Sequence, residues 1–271
     1  MRLVLFGFSS FVGQALISYY QKDTSIELIR VGRGGGEEGN VVNFEVADSK
    51  TVLESDIKKI LEEISPNKDT IFFNLISLGS PDYCELNQAS SRHINYNLPV
   101  ALYQALAEYD FGKFVHFSSN AVYAGDSPPY TETSLCAPIN VYGRHKLAVD
   151  EYLLKKNDSR ILVARPTTMY GDIPKGGRGN PVGMVIQNLL NGKNFKLVDD
   201  LMVNLLFVGD LCECVDRLVN RDVSGLVNIA GGQTLSRYDI GIIVAKCLGL
   251  DATLMKPCSM TEFPAVAKRP L

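Results

Sequence analysis

"LVLFGFSSFVGQAL", residues 3–16, runs from an apolar stretch through a glycine-bearing turn into a second apolar stretch. It reads as strand, turn and helix. Where such a turn cradles a pyrophosphate, each of three glycines has its own task. The first makes the tight turn, the second lets the backbone approach the phosphates, and the third lets the helix pack on the strand. Here Gly7 and Gly13 hold the first and third places and Ser10 holds the middle one. A helix N-terminus offers free N–H groups and a positive dipole end to an anion. Ser9, Ser10, Phe11 and Val12 therefore join the two glycines as candidate cofactor contacts. Ser10 is small, and its hydroxyl can itself donate to a phosphate. Taken alone, the loop leaves open a hydrophobic hairpin with two glycines.

The second strand, Glu27–Val31, ends in Gly32-Arg33-Gly34-Gly35-Gly36. A fold that prefers NAD places an acid at this point to hold the ribose hydroxyls. A cation without a nearby acid suits the 2′-phosphate of NADP instead, which makes Arg33 a candidate contact and NADP the preferred cofactor, with NAD the alternative.

Further along, strand candidates at Leu3–Phe6, Ile26–Val31, Val41–Phe44, Thr70–Ile76, Lys113–Phe117 and Arg160–Ala164 alternate with helical patterns near 11–21, 50–64, 87–109 and 140–156. Strands such as Ile71–Ile76 are almost continuously apolar, as expected when helices cover both faces. The alternation predicts an α/β fold with a doubly wound parallel sheet. After "GDIPKGGRGNPVG" (171–183) the rhythm changes, with helix signals near 182–191, 210–220 and 236–248. The expected division is a main domain over 1–171 and a smaller, mostly helical substrate-binding subdomain over 172–271, with room for its helix and strand elements to return to the main domain.

Composition narrows the function classes. A net charge of −3 over 271 residues gives no electrostatic reason to expect nucleic acid or an anionic membrane as partner. No apolar run approaches the roughly 20 residues that span a bilayer. The six cysteines are scattered and the three histidines show no ligand spacing with them, so reduced thiols, a cytoplasmic setting and no metal are expected.

"PINVYGRHKLAVDEYLLKK", residues 138–156, carries the chemistry. Asn140 is a plausible N-cap. From there Tyr142, Lys146, Val149 and Leu153 fall on one helical stripe. A lysine on an inward stripe is seldom buried without a task. A phenol with an ordinary pKa of about 10 is a sluggish acid near neutrality, and an ammonium one turn away lowers it. Strand five leaves the sheet as "KFVHFSSNAVYAG", placing hydroxyls at Ser118 and Ser119 where open α/β sheets bind ligands.

These motifs, in this order, resemble the extended short-chain dehydrogenase/reductases of the epimerase/dehydratase type, which act on nucleotide sugars. The glycine loop is followed by Asp48 at an adenine position, by "NLIS" (74–77) beside the cofactor ribose, and by "CELNQASSRHINYNLP" (84–99) with a buried asparagine at Asn95. "FSSNAVYAG", "YTETSLCAPINVYGRHK" and "ARPTTMYG" complete the series, and "FPAVAKRPL" resembles the ending of dTDP-4-dehydrorhamnose reductases. Two departures are Ser10 itself and Val203-Asn204, where many sugar-nucleotide epimerases carry an arginine.

The resemblance implies a Rossmann domain and an NAD(P)H-dependent reductase of a nucleotide-linked 4-keto sugar. It assigns catalysis to Ser119, Tyr142 and Lys146. Cofactor contacts fall on the glycine loop, Arg33, Asp48, Leu75, Ile76, Ser77, Asn95, Tyr142, Lys146, Pro166, Thr167 and Thr168. Substrate contacts fall on Ser119, Asn120, Lys175, Arg178 and Asn180. A homodimer through 87–109 and 140–156 is the family-level expectation. A nucleotide-sugar epimerase holding NAD(P) tightly and a cofactor-bound regulatory subunit share the fold and stay open as alternatives.

Overall fold

In the computed structural model, residues 1–33, 40–44, 54–172, 179–263 and 265–269 are described. The stretch that opened the sequence reading forms strand β1 (Arg2–Phe6), a turn, and helix α1 (Phe11–Tyr20). Leu3 to Phe6 are all fully buried. The period of two in a strand sends Leu3 and Leu5 into one core layer and Val4 and Phe6 into the other. That is why the run needs no polar residue.

The turn explains its own composition. Gly7 sits at φ +86°, a left-handed conformation that side chains disfavour, and a Cβ on Gly13 would stand 2.5 Å from the Phe8 carbonyl oxygen. Ser10 lies at φ −68°, ψ 163° and caps α1, its Oγ accepting from the Gly13 N–H at 3.1 Å. The middle position demands no glycine here, because its hydroxyl finishes the helix.

The remaining strands are β2 (Glu27–Gly32), β3 (Asn40–Asn43), β4 (Thr70–Asn74), β5 (Lys113–Phe117), β6 (Ile161–Pro166), β7 (Thr168–Tyr170), β8 (Phe195–Val198), β9 (Met202–Phe207), β10 (Gly225–Ile229), β11 (Thr234–Ser236) and β12 (Met255–Cys258). The other helices are α2 (Glu54–Ile64), α3 (Pro81–Leu86), α4 (Gln88–Arg92), α5 (Leu98–Leu106), α6 (Val141–Leu154), α7 (Pro181–Leu190), α8 (Val208–Asn220) and α9 (Arg237–Leu248). Seven strands form one parallel sheet in the order β10-β6-β5-β4-β1-β2-β3. Apolar residues of α2, α5 and α6 cover one face; those of α1 and α8 cover the other. The strand order reverses between β1 and β4, which opens the crevice where such sheets bind ligands.

One feature departs from the sequence reading. The helix expected over 87–109 starts earlier, at Pro81 capped by Ser80, and is cut into α3, α4, a π-helical turn at His93–Asn97, and α5. Pro99 has no N–H to give to the carbonyl of Asn95, so the regular ladder cannot pass that point. Beyond residue 172, α8 and β10 belong to the main sheet and its layers, while α7 and α9 pack with β8 and β12 in a separate small core. That small core contains strands as well as helices: β8 pairs with β12, and β7, β9 and β11 form a three-stranded sheet beside it. Among the described residues no helix is long and apolar enough to cross a membrane.

Ser10→Ala removes the cap of α1 and is expected to lower unfolding stability by about 1 kcal/mol, whereas Ser10→Gly lowers it by only a few tenths. Urea denaturation of the three proteins measures this, and an alanine form as stable as wild type would remove the capping role.

Candidate active site

Helix α6 begins where the sequence placed it. Asn140 caps it, its Oδ1 accepting from the Gly143 N–H at 2.8 Å, and its Nδ2 donates to the Lys268 carbonyl at 3.0 Å. A Cβ on Gly143 would lie 2.2 Å from the Ala121 carbonyl oxygen. The first turn of α6 therefore rests directly on the short 3-10 turn Asn120–Val122, which Ser119 caps through its Oγ and the Ala121 N–H at 3.1 Å. This close backbone approach brings the start of α6, with Tyr142, beside Ser119, and both line one cleft.

One turn further on, Lys146 is 2% exposed, and its Nζ donates to the Phe117 carbonyl at 2.6 Å. Burial pulls its pKa down from 10.5 to about 8, against the attraction of Asp150. Asp150 is itself fully buried, accepting from Ser118 Oγ and Arg165 Nε at 2.8 Å each. Burial pushes that carboxyl up and the Arg165 guanidinium opposes it. Arg165 Nη1 then donates to Tyr123 OH at 2.9 Å. The adjacent serines thus have separate work. Ser118 is spent on Asp150, while Ser119 stays half-buried at the cleft. His116, on the same strand, is neutral: burial, then the Lys146 charge, holds its pKa well below the ordinary value, and Nδ1 accepts from Asn74 Nδ2 at 3.1 Å.

Two hollows lie at the carboxyl ends of the strands. The larger, about 750 Å³, is lined by Ser119, Asn120, Tyr142, Pro166, Thr167 and Thr168, with Arg165, Arg237 and Arg269 among the rest. The smaller, about 290 Å³, is lined by Gly7, Ser9, Ser10, Leu75, Ile76 and Ser77, with Arg33 at its rim. No carboxylate stands among the described residues lining the smaller hollow. A glycine-walled turn and a helix N-terminus fit the pyrophosphate of a nicotinamide dinucleotide.

Other predicted residues lie behind these walls. Val12 and Gly13 are buried in α1, and Phe11 packs into the core under it. Asn95 is buried and acts through its neighbours: Oδ1 accepts from the Leu78 N–H at 2.9 Å and Ser77 Oγ at 3.0 Å, fixing the edge of the smaller hollow. Asn180 lines neither hollow; it caps α7 and donates to the Gly171 carbonyl at 2.8 Å. The Asn-Pro pair at 180–181 was a capping signal in the sequence. Asp48, Lys175 and Arg178 lie outside the described residues. Sequence reasoning missed Asp150 and Arg165, although an acid one turn after Lys146 was visible, and it missed Arg237 and Arg269, which only the fold brings to the cleft.

Because the folded pKa of Lys146 lies below its ordinary value, the folded state binds fewer protons than the unfolded one between about pH 8 and 10.5. The penalty for burying the charge is fully present below pH 8 and fades as pH rises through that window. The stability of wild type relative to Lys146→Met is therefore expected to climb from about pH 8 to 10.5. Denaturant unfolding of the cofactor-free proteins checks this, and a flat difference would contradict the assignment.

The chain matches the RmlD substrate binding domain family over residues 1–271. A probable low-salt glycan biosynthesis reductase of Haloferax volcanii is 25% identical over 220 residues, 80% of this chain and 72% of that protein. The dTDP-4-dehydrorhamnose reductase of Mycobacterium tuberculosis is 29% identical over 206 residues, 73% and 66% of the two chains. Methionine adenosyltransferase 2 subunit beta of Xenopus laevis is 23% identical over 79% of this chain and 64% of its own. Among solved structures, a Bacillus anthracis dTDP-4-dehydrorhamnose reductase in complex with NADP superposes with a TM-score of 0.80 at 22% identity, covering 99% of this chain and 88% of that one. With the family matched from end to end and the fold shared, the chain belongs to the RmlD substrate binding domain family.

Proposed function

We propose that this chain is an NADPH-dependent reductase of a nucleotide-linked 4-keto sugar. The observation that carries the reading is the convergence of Ser119 and Tyr142 on one cleft with the Lys146 ammonium buried directly behind them. The named reductases among its relatives support the same class of reaction. A non-catalytic subunit would have no use for a buried lysine held to the Phe117 carbonyl at the foot of that cleft.

When bound, the nicotinamide cofactor would supply the hydride for the keto carbon. As negative charge develops on the keto oxygen, the Tyr142 phenol protonates it and the Ser119 hydroxyl donates to it, fixing its position. The positive charge of Lys146 favours the phenolate left on Tyr142. One of the three ammonium donors is anchored on Phe117, which leaves the group free to serve a ribose hydroxyl with another. Asn120 contacts the sugar, and the backbone of Pro166, Thr167 and Thr168 flanks the nicotinamide. Arg33 favours NADPH over NADH by its charge. Residues from 172 onward that pack around α7 and α9 close the nucleotide end of the cleft. The family resemblance is the support for a homodimer packed through α5 and α6 and for a cytoplasmic setting.

The assay is loss of NADPH absorbance on adding a panel of nucleotide 4-keto-6-deoxy sugars. Wild type is expected to consume NADPH stoichiometrically, and Tyr142→Phe to lose about 10²–10⁴-fold in kcat. Sugar isomerisation without net oxidation would identify an epimerase instead. Inactivity on every sugar, with NADPH still bound, would leave the regulatory role. In the same assay Arg33→Ser is expected to erase most of the preference for NADPH over NADH. Unchanged discrimination in that variant would remove Arg33 from the cofactor site.

A further inference from the structure

A proton donor and a hydride donor must be aligned on one carbonyl group, and a misplacement of about 1 Å can cost roughly a hundredfold in rate. Tyr142 rides on the first turn of α6, so whatever holds that turn sets the phenol. Gly143 rests against the Ala121 carbonyl, and this contact stops the turn from moving inward. It does nothing to stop the turn from moving away. Asn140 caps the helix from its own end and ties it to the tail at Lys268. A further bond joins the turn to the cofactor side of the cleft. The N–H of Val141, the buried residue before Tyr142, donates to Glu85 Oε2 at 3.0 Å.

Glu85 belongs to α3 and is not among the residues that line either hollow. Its carboxylate sits at the positive end of the α6 dipole and takes an N–H that the first turn cannot satisfy within the helix. Its other oxygen, Oε1, lies 3.9 Å from Arg144 Nη2, a looser pairing on an exposed side chain. The preceding residue, Cys84, is fully buried and locks α3 in place. Cys84 Sγ donates to the Leu78 carbonyl at 3.3 Å and accepts from Asn95 Nδ2 at 3.6 Å. Leu78 lines the smaller hollow. A series of contacts thus runs from the cofactor hollow through Leu78, Cys84 and Glu85 to Val141 and Tyr142.

We propose that Glu85 is a positioning residue for the Tyr142 phenol, fixing the proton donor against the edge of the cofactor hollow. This rests on the reading of the chain as a reductase. The role needs an acceptor oxygen at the right reach from α3, and the negative charge is secondary to it.

The test is steady-state kinetics at saturating NADPH, on the nucleotide 4-keto-6-deoxy sugar that wild type reduces fastest. Fluorescence titration with NADPH counts the binding sites, so that kcat refers to folded protein. Glu85→Ala removes the acceptor, and Glu85→Asp draws it back by one methylene. Each is expected to lower kcat by about 10- to 100-fold, with KM for the sugar and affinity for NADPH at wild-type values. Glu85→Gln keeps an acceptor oxygen at the same reach and is expected to restore kcat to near the wild-type value. Arg144→Ala, which removes only the looser pairing, keeps the wild-type kcat. Wild-type kcat in either the alanine or the aspartate variant overturns the positioning role and leaves the reductase reading standing. So does a glutamine variant as slow as the alanine one, or a loss carried by KM or by NADPH affinity. Should the alanine variant fail to bind NADPH at all, the aspartate variant, which keeps a carboxylate at the helix end, decides. A wild type that binds NADPH but reduces no sugar overturns both readings.

Discussion

The bond from the Lys146 ammonium to the carbonyl of Phe117 ties α6 to the end of β5. A full charge has been moved out of water there, and the fold must compensate for it. Much of the surrounding architecture follows from that requirement. Asp150 sits one helical turn away, Arg165 and Ser118 both donate to its Oδ2, and Tyr123 accepts from Arg165 Nη1. Removing one member would leave another charge buried without a partner, which is why such sets are kept or lost together. Within the same layer His116 stays neutral and accepts from Asn74, so no second cation competes with the lysine.

How much of this the sequence disclosed depends on the range of the interactions involved. Strands β1 to β6 were legible to within a residue or two, because burial on both faces enforces continuous apolar runs such as Leu3–Phe6 and Ile71–Phe73. The cap at Asn140 and the stripe Tyr142–Lys146 were legible because they are local. The break around residues 93–99 was not anticipated, although the proline that forces it was in view. The resemblance picked Ser119 over Ser118, but residue chemistry and spacing alone did not. What distinguishes them physically is the partner 32 residues away, with Asp150 claiming the first. Arg237 and Arg269 were invisible for a related reason. One starts a helix in the second half and the other lies on the tail, and only folding places them on one wall.

Ser10 shows how a departure from a pattern can be a local solution. A glycine at that position would give the cofactor more room. A serine gives the helix a cap instead, its Oγ accepting from the Gly13 N–H. The two neighbouring glycines are different in kind. Gly7 is needed for its backbone angle and Gly13 for the space its missing side chain leaves.

The order of strands in the main sheet also has a consequence for how the chain must assemble. Strand β1 is flanked by β2 and β4, so one of its edges waits for residues 70–74. Strand β6 waits longer, for β10 at 225–229, and Leu162 and Ala164 share their core with Leu211 and Val215 of α8. Parallel pairings of this kind close large loops before they return any free energy. During synthesis the carboxyl-side edge of the sheet stands open while some sixty further residues are added, and an open strand edge is a template for association. The second half of the chain is therefore a structural closure of the first, whatever it also contributes to substrate recognition.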